Sequence, residues 1–179
     1  MEKVIIFGTG KRAQWIFKYL DKYNELEVVE IWDNNEKKTG KIYEVNGKNV
    51  VVKQPHYENQ YNIIISSDVY YEEITKQLIE NLSIDPIYIK KFGYVFNGFK
   101  TKILEKYKNS DNVGINNICQ YLQENELNVF CGQISNNYPL DIFEVHKDSD
   151  NGLLYSFWKG KKIYLSSVYK NPNVAKAYL

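Results

Sequence analysis

A run of apolar residues that ends directly in a glycine-rich turn constrains the fold of this chain most strongly. Residues 3–7 read Lys-Val-Ile-Ile-Phe, with no alternation of polar and apolar side chains. This pattern is typical of a strand that is buried on both faces in a parallel sheet. Residues 8–10 end the run, and over residues 11–23 apolar side chains recur at helical spacing. The sequence therefore predicts a strand, a tight turn and an amphipathic helix.

The first hundred residues continue this alternation of strand-like and helix-like segments. Further apolar runs predict buried strands, and Asn46-Gly47 has the turn chemistry of a β-hairpin. We expect strands over residues 28–32, 62–66 and 87–89, a hairpin over 41–53 and a helix over 68–82. Strands that are joined through helices pair in parallel, with right-handed crossovers. The predicted fold class is therefore α/β, with a parallel sheet covered by helices on both faces.

The pattern changes after about Gly98. Residues 100–108 and 116–125 show helical spacing, and the later segments read as short strands joined by turn residues. The strand-like segments cover residues 127–131, 141–146, 153–158 and 161–166. We expect two domains, an α/β domain over residues 1–98 and a small α+β module with an antiparallel meander over residues 99–179.

The turn after the first strand has the sequence G-x-G-x-x-A, and it opens a helix. Gly8 permits a tight turn, Gly10 lacks the Cβ that would block a diphosphate, and Ala13 allows close packing of the helix on the sheet. A helix N-terminus offers unpaired N–H groups and a partial positive charge to an anion. Lys11 and Arg12 add cations to that first turn, where the helix dipole disfavours them unless an anion is bound. This context predicts a Rossmann-like, nucleotide-binding domain.

Polar residues also follow the next two strands of the predicted sheet. Asp33 comes directly after the second strand, and its carboxylate can accept ribose hydroxyls and repel a 2′-phosphate, which favours NAD over NADP. Ser66 and Ser67 lie at the end of the third strand, at the same edge of the sheet. The predicted cofactor is NAD or a related nucleotide. The candidate site consists of Gly8, Thr9, Gly10, Lys11, Arg12, Asp33, Asn34, Ser66 and Ser67.

The first domain resembles a bacterial Rossmann family. The shared features are the strand, turn and helix within residues 3–20, the strand and its polar end at 28–35, residues 40–41, the hairpin turn at 46–47 before 50–52, and the serines at 66–67. The family is the nucleotide-sugar or CoA-binding domain at the front of sugar-modifying enzymes such as epimerases, dehydratases and acetyltransferases. The resemblance covers about residues 1–95 and implies a nucleotide or nucleotide-sugar ligand and a role in surface-polysaccharide metabolism.

The second half carries a different resemblance. Residues 151–155 and 159–164 are similar to the linker module that precedes FkbM-type methyltransferases, which implies a separate methyltransferase or transferase as a partner. Three alternatives stay open: an NAD-dependent sugar oxidoreductase, the N-terminal part of an FkbM-type SAM-dependent methyltransferase, and a structural or regulatory module that binds no ligand. Residues 4–7 lack the acidic residue that methyltransferases usually place before their glycine turn. No acid, base or nucleophile motif is evident, so catalysis by this chain is left open.

The charge balance disfavours other classes of protein. The 179 residues include 23 Lys+Arg and 22 Asp+Glu, for a formal net charge of +1, whereas nucleic-acid-binding domains normally carry a basic excess. The apolar runs are too short to span a bilayer. Two cysteines and two histidines are too few for a disulfide framework or a His-rich metal site. We expect a cytoplasmic protein without a nucleic-acid partner, a metal or a membrane segment, and formation of a homo-oligomer is left open.

Overall fold

The computed structural model describes residues 1–124, 144–158 and 160–164. The described residues form two compact units, one of residues 1–95 and one that begins at Phe96. Of the helices in these ranges, none is long and apolar enough to cross a membrane. The expected domain boundary after residue 98 remains a prediction.

The first unit is a six-stranded sheet with helices. Its elements are β1 (Glu2–Phe7), α1 (Lys11–Tyr23), β2 (Leu26–Trp32), β3 (Ile42–Val45), β4 (Lys48–Lys53), β5 (Asn62–Ile65), α2 (Tyr71–Leu82) and β6 (Ile89–Lys91). The strand order is β3-β4-β2-β1-β5-β6. All neighbours pair in parallel except β3 and β4, which form the antiparallel hairpin around Asn46-Gly47. The predicted Rossmann-like α/β fold is therefore confirmed.

Both faces of the central strands are buried, as their unbroken apolar sequences predict. Ile5 and Phe7 of β1 share a core with Ile63 of β5 and Leu78 of α2. Ile6, on the opposite face of β1, has no exposed surface, as expected from the alternation of side chains along a strand. Full burial of one such apolar side chain contributes about 1.5–3 kcal/mol to stability. This core therefore stabilises the central strands β1 and β5 and the helix that packs on them.

In the first unit, element boundaries differ from the expected ones by up to three residues, for local reasons. Helix α2 begins at Tyr71 rather than at residue 68, because residues 68–70 form a separate turn in which the Tyr71 amide donates a 3.4 Å hydrogen bond to the Asp68 carbonyl. Strand β6 begins at Ile89, because Pro86 opens a single 3₁₀ turn before it. Proline favours the first position of a helical turn, because the N–H that it lacks would have no hydrogen-bond partner within the turn there.

The second unit contains two helices and a small sheet. Its described elements are α3 (Asn97–Tyr107), α4 (Val113–Glu124), β7 (His146–Lys147), β8 (Leu154–Trp158) and β9 (Lys161–Tyr164). The strands pair antiparallel in the order β7-β8-β9, so the predicted antiparallel meander is confirmed. The strand expected over residues 127–131 lies outside the described residues, as do residues 141–143 and 165–166.

One buried carboxylate ties this small sheet together. Asp148 lies in the turn between β7 and β8. Its carboxylate accepts a 2.8 Å hydrogen bond from the Tyr164 hydroxyl and forms an ion pair with Lys162. These contacts, led by Lys162, hold the pKa of Asp148 far below its ordinary value. The turn residues 148–152 therefore serve the fold of the sheet.

Candidate functional site

The loops after β1, β2 and β5 meet at one edge of the sheet. Phe7 pairs with Trp32 on one side and with Ile65 on the other, so the residues that follow each strand lie side by side. In open parallel sheets, ligands bind outside these carboxyl ends, where the strand order reverses. The structure therefore brings the glycine turn, the Asp33 loop and the serine loop together.

The fold requires a glycine at position 8, whether or not a ligand binds. The φ of Gly8 is +101°, a conformation that other residues rarely adopt, and its amide donates a 2.6 Å hydrogen bond to the Trp32 carbonyl. A Cβ at this position would lie 2.6 Å from the Ser66 Oγ. Gly8 thus makes the tight turn that the sequence predicts and accommodates Ser66.

Gly10 differs from Gly8, because neither its conformation nor its packing requires a glycine. Its φ of −70° is open to any residue, and it is the N-cap of α1. A Cβ at Gly10 would meet no described atom within 4 Å. Of the residues that the structure describes, none caps α1 with its side chain, and its first turn contains no acidic residue. The backbone surface at Gly10 is open next to the positive end of the helix dipole.

The carboxylate of Asp33 is engaged with the glycine turn and with a lysine. Its Oδ2 accepts hydrogen bonds from the Thr9 amide (3.0 Å), the Thr9 hydroxyl (2.6 Å) and the Lys38 ammonium (2.9 Å). Its Oδ1 accepts one from the Asn35 amide at 3.0 Å. Burial opposes ionisation of this group, but these hydrogen bonds outweigh it and hold the pKa of Asp33 below its ordinary value. Asp33 is therefore an ion-paired carboxylate.

This arrangement limits what Asp33 can offer to a ligand. A carboxylate oxygen has two lone pairs, and Oδ2 already has three donors. The Oδ1 atom, with one donor from Asn35, is the acceptor that has room for a ligand hydroxyl.

Asn34 lies on the surface and connects the loop after β2 to helix α2. Its side-chain amide and that of Gln77 exchange two hydrogen bonds, of 2.7 and 2.9 Å. The pair frames the side of the site between β2 and α2.

The two serines of the candidate site have different surroundings. Ser66 is buried, and both its amide (3.0 Å) and its hydroxyl (2.9 Å) donate to the Phe7 carbonyl. Ser67 is half-buried, and its hydroxyl accepts the Tyr70 amide at the entry to α2. Ser66 therefore extends the pairing between β1 and β5, and Ser67 is the serine nearer to the surface.

The two cations in the first turn of α1 also differ. Lys11 is exposed, whereas Arg12 is half-buried. The Nη1 atom of Arg12 lies 2.5 Å from an Asp68 carboxylate oxygen, and its guanidinium lies 5.1 Å from the centre of the Phe92 ring. Arg12 thus links α1 to the loop after β5.

Three residues shape the site but were not predicted from the sequence: Lys38, Asp68 and Gln77. Each contacts a predicted residue through folding rather than through a local motif: Lys38 contacts Asp33, Asp68 contacts Arg12, and Gln77 contacts Asn34. The sequence contains no periodic signal for these contacts. Within the described residues, no group of His, Cys, Asp and Glu side chains has the arrangement of a metal site.

One comparison with known proteins concerns the first unit. Residues 1–89 match the family model described as C2185-like, N-terminal. The curated proteins contain no match to this chain. Similar solved structures include aspartate semialdehyde dehydrogenase II from Vibrio cholerae, complexed with ASA (TM-score 0.36) and in a second structure (TM-score 0.35). Each is 19% identical and covers 52% of this chain, and the chain spans 30% of the dehydrogenase's length.

Proposed function

We propose that the first unit binds a nucleotide through its diphosphate, over Gly10 and the N-terminus of α1. The observation that carries this proposal is the open surface at Gly10, where neither the backbone conformation nor the packing of the described residues requires a glycine. A diphosphate that approaches the backbone closely supplies that reason, because any Cβ would occupy the space it needs.

The electrostatics of the first helical turn support the same ligand. Lys11 and Arg12 lie where the helix dipole already provides about half a positive charge. Asp68, from the loop after β5, offsets the charge of Arg12, whereas the first turn of α1 contains no acidic residue that could offset Lys11. A cation such as Lys11 at this position costs a few tenths of a kcal/mol in the absence of an anion. A bound diphosphate converts this cost into a favourable interaction. Lys11, which is exposed, is the side chain that can turn towards the diphosphate.

The neighbouring loops are suited to the nucleoside. Asp33 offers Oδ1 to a ribose hydroxyl, and the exposed Asn34 amide, which uses one N–H on Gln77, has a second N–H for a ligand. Tyr70 is 58% exposed and precedes α2 at the same edge of the sheet, where a base or a sugar can stack on its ring. Since the Asp33 carboxylate is ionised and hydrogen-bonded, it is suited to binding rather than to proton transfer.

We propose further that the ligand is a nucleotide sugar or a dinucleotide of the NAD type, used in surface-polysaccharide metabolism. This finer proposal depends on the sequence resemblance of residues 1–95 to the domains at the front of sugar-modifying enzymes. The resemblance of residues 151–155 and 159–164 to the FkbM-associated linker supports a separate methyltransferase or transferase as the partner.

Isothermal titration of the full chain with NAD, UDP-N-acetylglucosamine, CoA and S-adenosylmethionine tests the proposal. Lys11→Gln should weaken binding of the diphosphate ligands by about three- to tenfold, because it removes one cation from the phosphate. Lys18→Gln is the matched control: it makes the same change on the same face of α1, about 10 Å farther along the helix.

The outcomes separate the proposed function from its alternatives. Binding that Lys11→Gln weakens and Lys18→Gln leaves unchanged supports the diphosphate site. Binding of S-adenosylmethionine alone favours the methyltransferase alternative. Absence of binding by all four compounds contradicts the proposal and favours a module that binds no ligand.

A further inference from the structure

The ribose end of the site contains a lysine where the sequence predicts only a carboxylate. We infer that Lys38 adapts this end to a nucleotide whose ribose carries a phosphate at its 2′ position. The inference rests on the proposed function, since it requires the diphosphate to lie over Gly10. It names the class of nucleotide that the site prefers.

The first observation is the ion pair between Lys38 and Asp33. The Lys38 Nζ lies 2.9 Å from the Asp33 Oδ2. The acidic residue after the second strand favours an unphosphorylated ribose because it binds the 2′-hydroxyl, whereas a cation nearby accommodates a 2′-phosphate. In this chain both groups lie at that position in contact with each other, so the charge that would repel a phosphate is already neutralised.

The second observation is that Lys38 has donors to spare. An ammonium carries three N–H donors, and Asp33 accepts one of them. The Lys38 side chain is 33% exposed, whereas that of Asp33 is 10% exposed. A ligand that reaches this pair from the surface therefore meets the lysine more readily than the carboxylate.

The backbone around Lys38 is held by a compact turn, which lowers the entropy lost when a ligand binds. Its amide donates a 2.8 Å hydrogen bond to the Asn35 carbonyl, and its carbonyl accepts one of 3.0 Å from Lys41. The Gly40 amide anchors the turn to β4 through the Val52 carbonyl, at 2.9 Å. The cation is thus positioned beside the sheet edge before any ligand arrives.

The local charge also favours an additional phosphate. Over residues 33–41, three lysines stand against the carboxylates of Asp33 and Glu36. Lys37 and Lys41 are exposed on either side of Lys38. A phosphate monoester carries nearly two negative charges at neutral pH, so this turn attracts it more strongly than it attracts a hydroxyl.

Titration of the full chain with NADP and NAD tests the inference, because the two compounds differ only in the 2′-phosphate. The wild-type protein should bind NADP about tenfold more tightly than NAD. Lys38→Gln should abolish this preference. Lys48→Gln is the matched control, because it breaks another lysine–carboxylate pair, with Glu27, at the opposite end of β4. It should leave the preference unchanged.

The failure of this inference is distinguishable from failure of the proposed function. Equal or tighter binding of NAD by the wild-type protein overturns the inference, and so does a preference for NADP that survives Lys38→Gln. In either case, binding of NAD or UDP-N-acetylglucosamine that depends on Lys11 leaves the diphosphate site intact. If only UDP-N-acetylglucosamine binds, the ribose-phosphate inference is wrong and the proposed function stands.

Discussion

The Thr9 hydroxyl donates a 2.6 Å hydrogen bond to the Asp33 Oδ2, and the Thr9 amide donates to the same oxygen at 3.0 Å. Both residues are buried, with 4% and 7% of their surfaces exposed. The middle residue of the glycine turn is thereby joined to the end of β2. These two hydrogen bonds fix the loop that leads to Gly10. The shape of the site therefore depends on them, even though the Thr9 hydroxyl and the Asp33 Oδ2 need not touch a ligand.

Thr9→Val should lower the free energy of unfolding by about 1.5–3 kcal/mol. The change keeps the size of the side chain but removes a hydrogen bond to a buried charged group, and such bonds contribute about that much. Thr9→Ser keeps the hydroxyl and should be closer to the wild type. Urea unfolding of the three proteins measures the effect, and equal stability of the valine variant would mean that the hydroxyl contributes nothing.

The stability that Asp33 provides should disappear in acid. The folded-state pKa of Asp33 lies below its ordinary value of 3.8, so its contribution is present above that value and is lost as the pH falls through the folded-state pKa. We expect the stability difference between wild type and Asp33→Asn to narrow steadily as the pH falls from about 5 towards 3. Urea unfolding across this range tests the expectation, and a pH-independent difference would contradict it.

Gly8→Ala should destabilise the fold more than Gly47→Ala does. Both glycines have a positive φ, of 101° and 68°, and that conformation alone costs other residues about 1–2 kcal/mol. At Gly8 the new Cβ would also lie 2.6 Å from the Ser66 Oγ, whereas at Gly47 it would meet no atom of the described residues within 4 Å. Chemical denaturation measures the free energy of unfolding of both variants. Equal decreases would show that the Ser66 side chain moves away from the new Cβ at no free-energy cost.

Asp68→Asn should strengthen nucleotide binding by about threefold or more. Asp68 neutralises Arg12 across a 2.5 Å contact, and its negative charge also repels a diphosphate at the start of α1. The amide keeps the size of the side chain without that charge. Titration at low and high salt checks the effect, which should shrink as salt screens it; weaker binding by the variant would show that Asp68 itself supports the ligand.

The fold of the first unit is largely predictable because its signals are local. The apolar residues 3–7, the glycine turn and Asn46-Gly47 each determine a short segment by steric and turn preferences. The observed β1, α1 and hairpin follow them. Boundaries shift where a separate turn precedes the regular element, as the turn at residues 68–70 precedes α2.

The site was less predictable because its important contacts join distant elements. The position of Asp33 at the end of β2 follows from strand periodicity, but its ion pair with Lys38 depends on the turn anchored to β4. The orientation of the Ser66 hydroxyl depends on the Phe7 carbonyl of another strand. These partners are chosen by tertiary packing, which no short sequence pattern encodes.

Titration of the Gly10→Val variant tests the diphosphate site most directly. We use whichever of NAD, NADP and UDP-N-acetylglucosamine the wild-type protein binds. The valine side chain enters space at the N-cap that no described residue occupies. The free energy of unfolding should therefore fall by at most about 1 kcal/mol. Affinity should fall by about a hundredfold, because the side chain occupies the place of the diphosphate. Unchanged affinity in this folded variant would contradict nucleotide binding over Gly10.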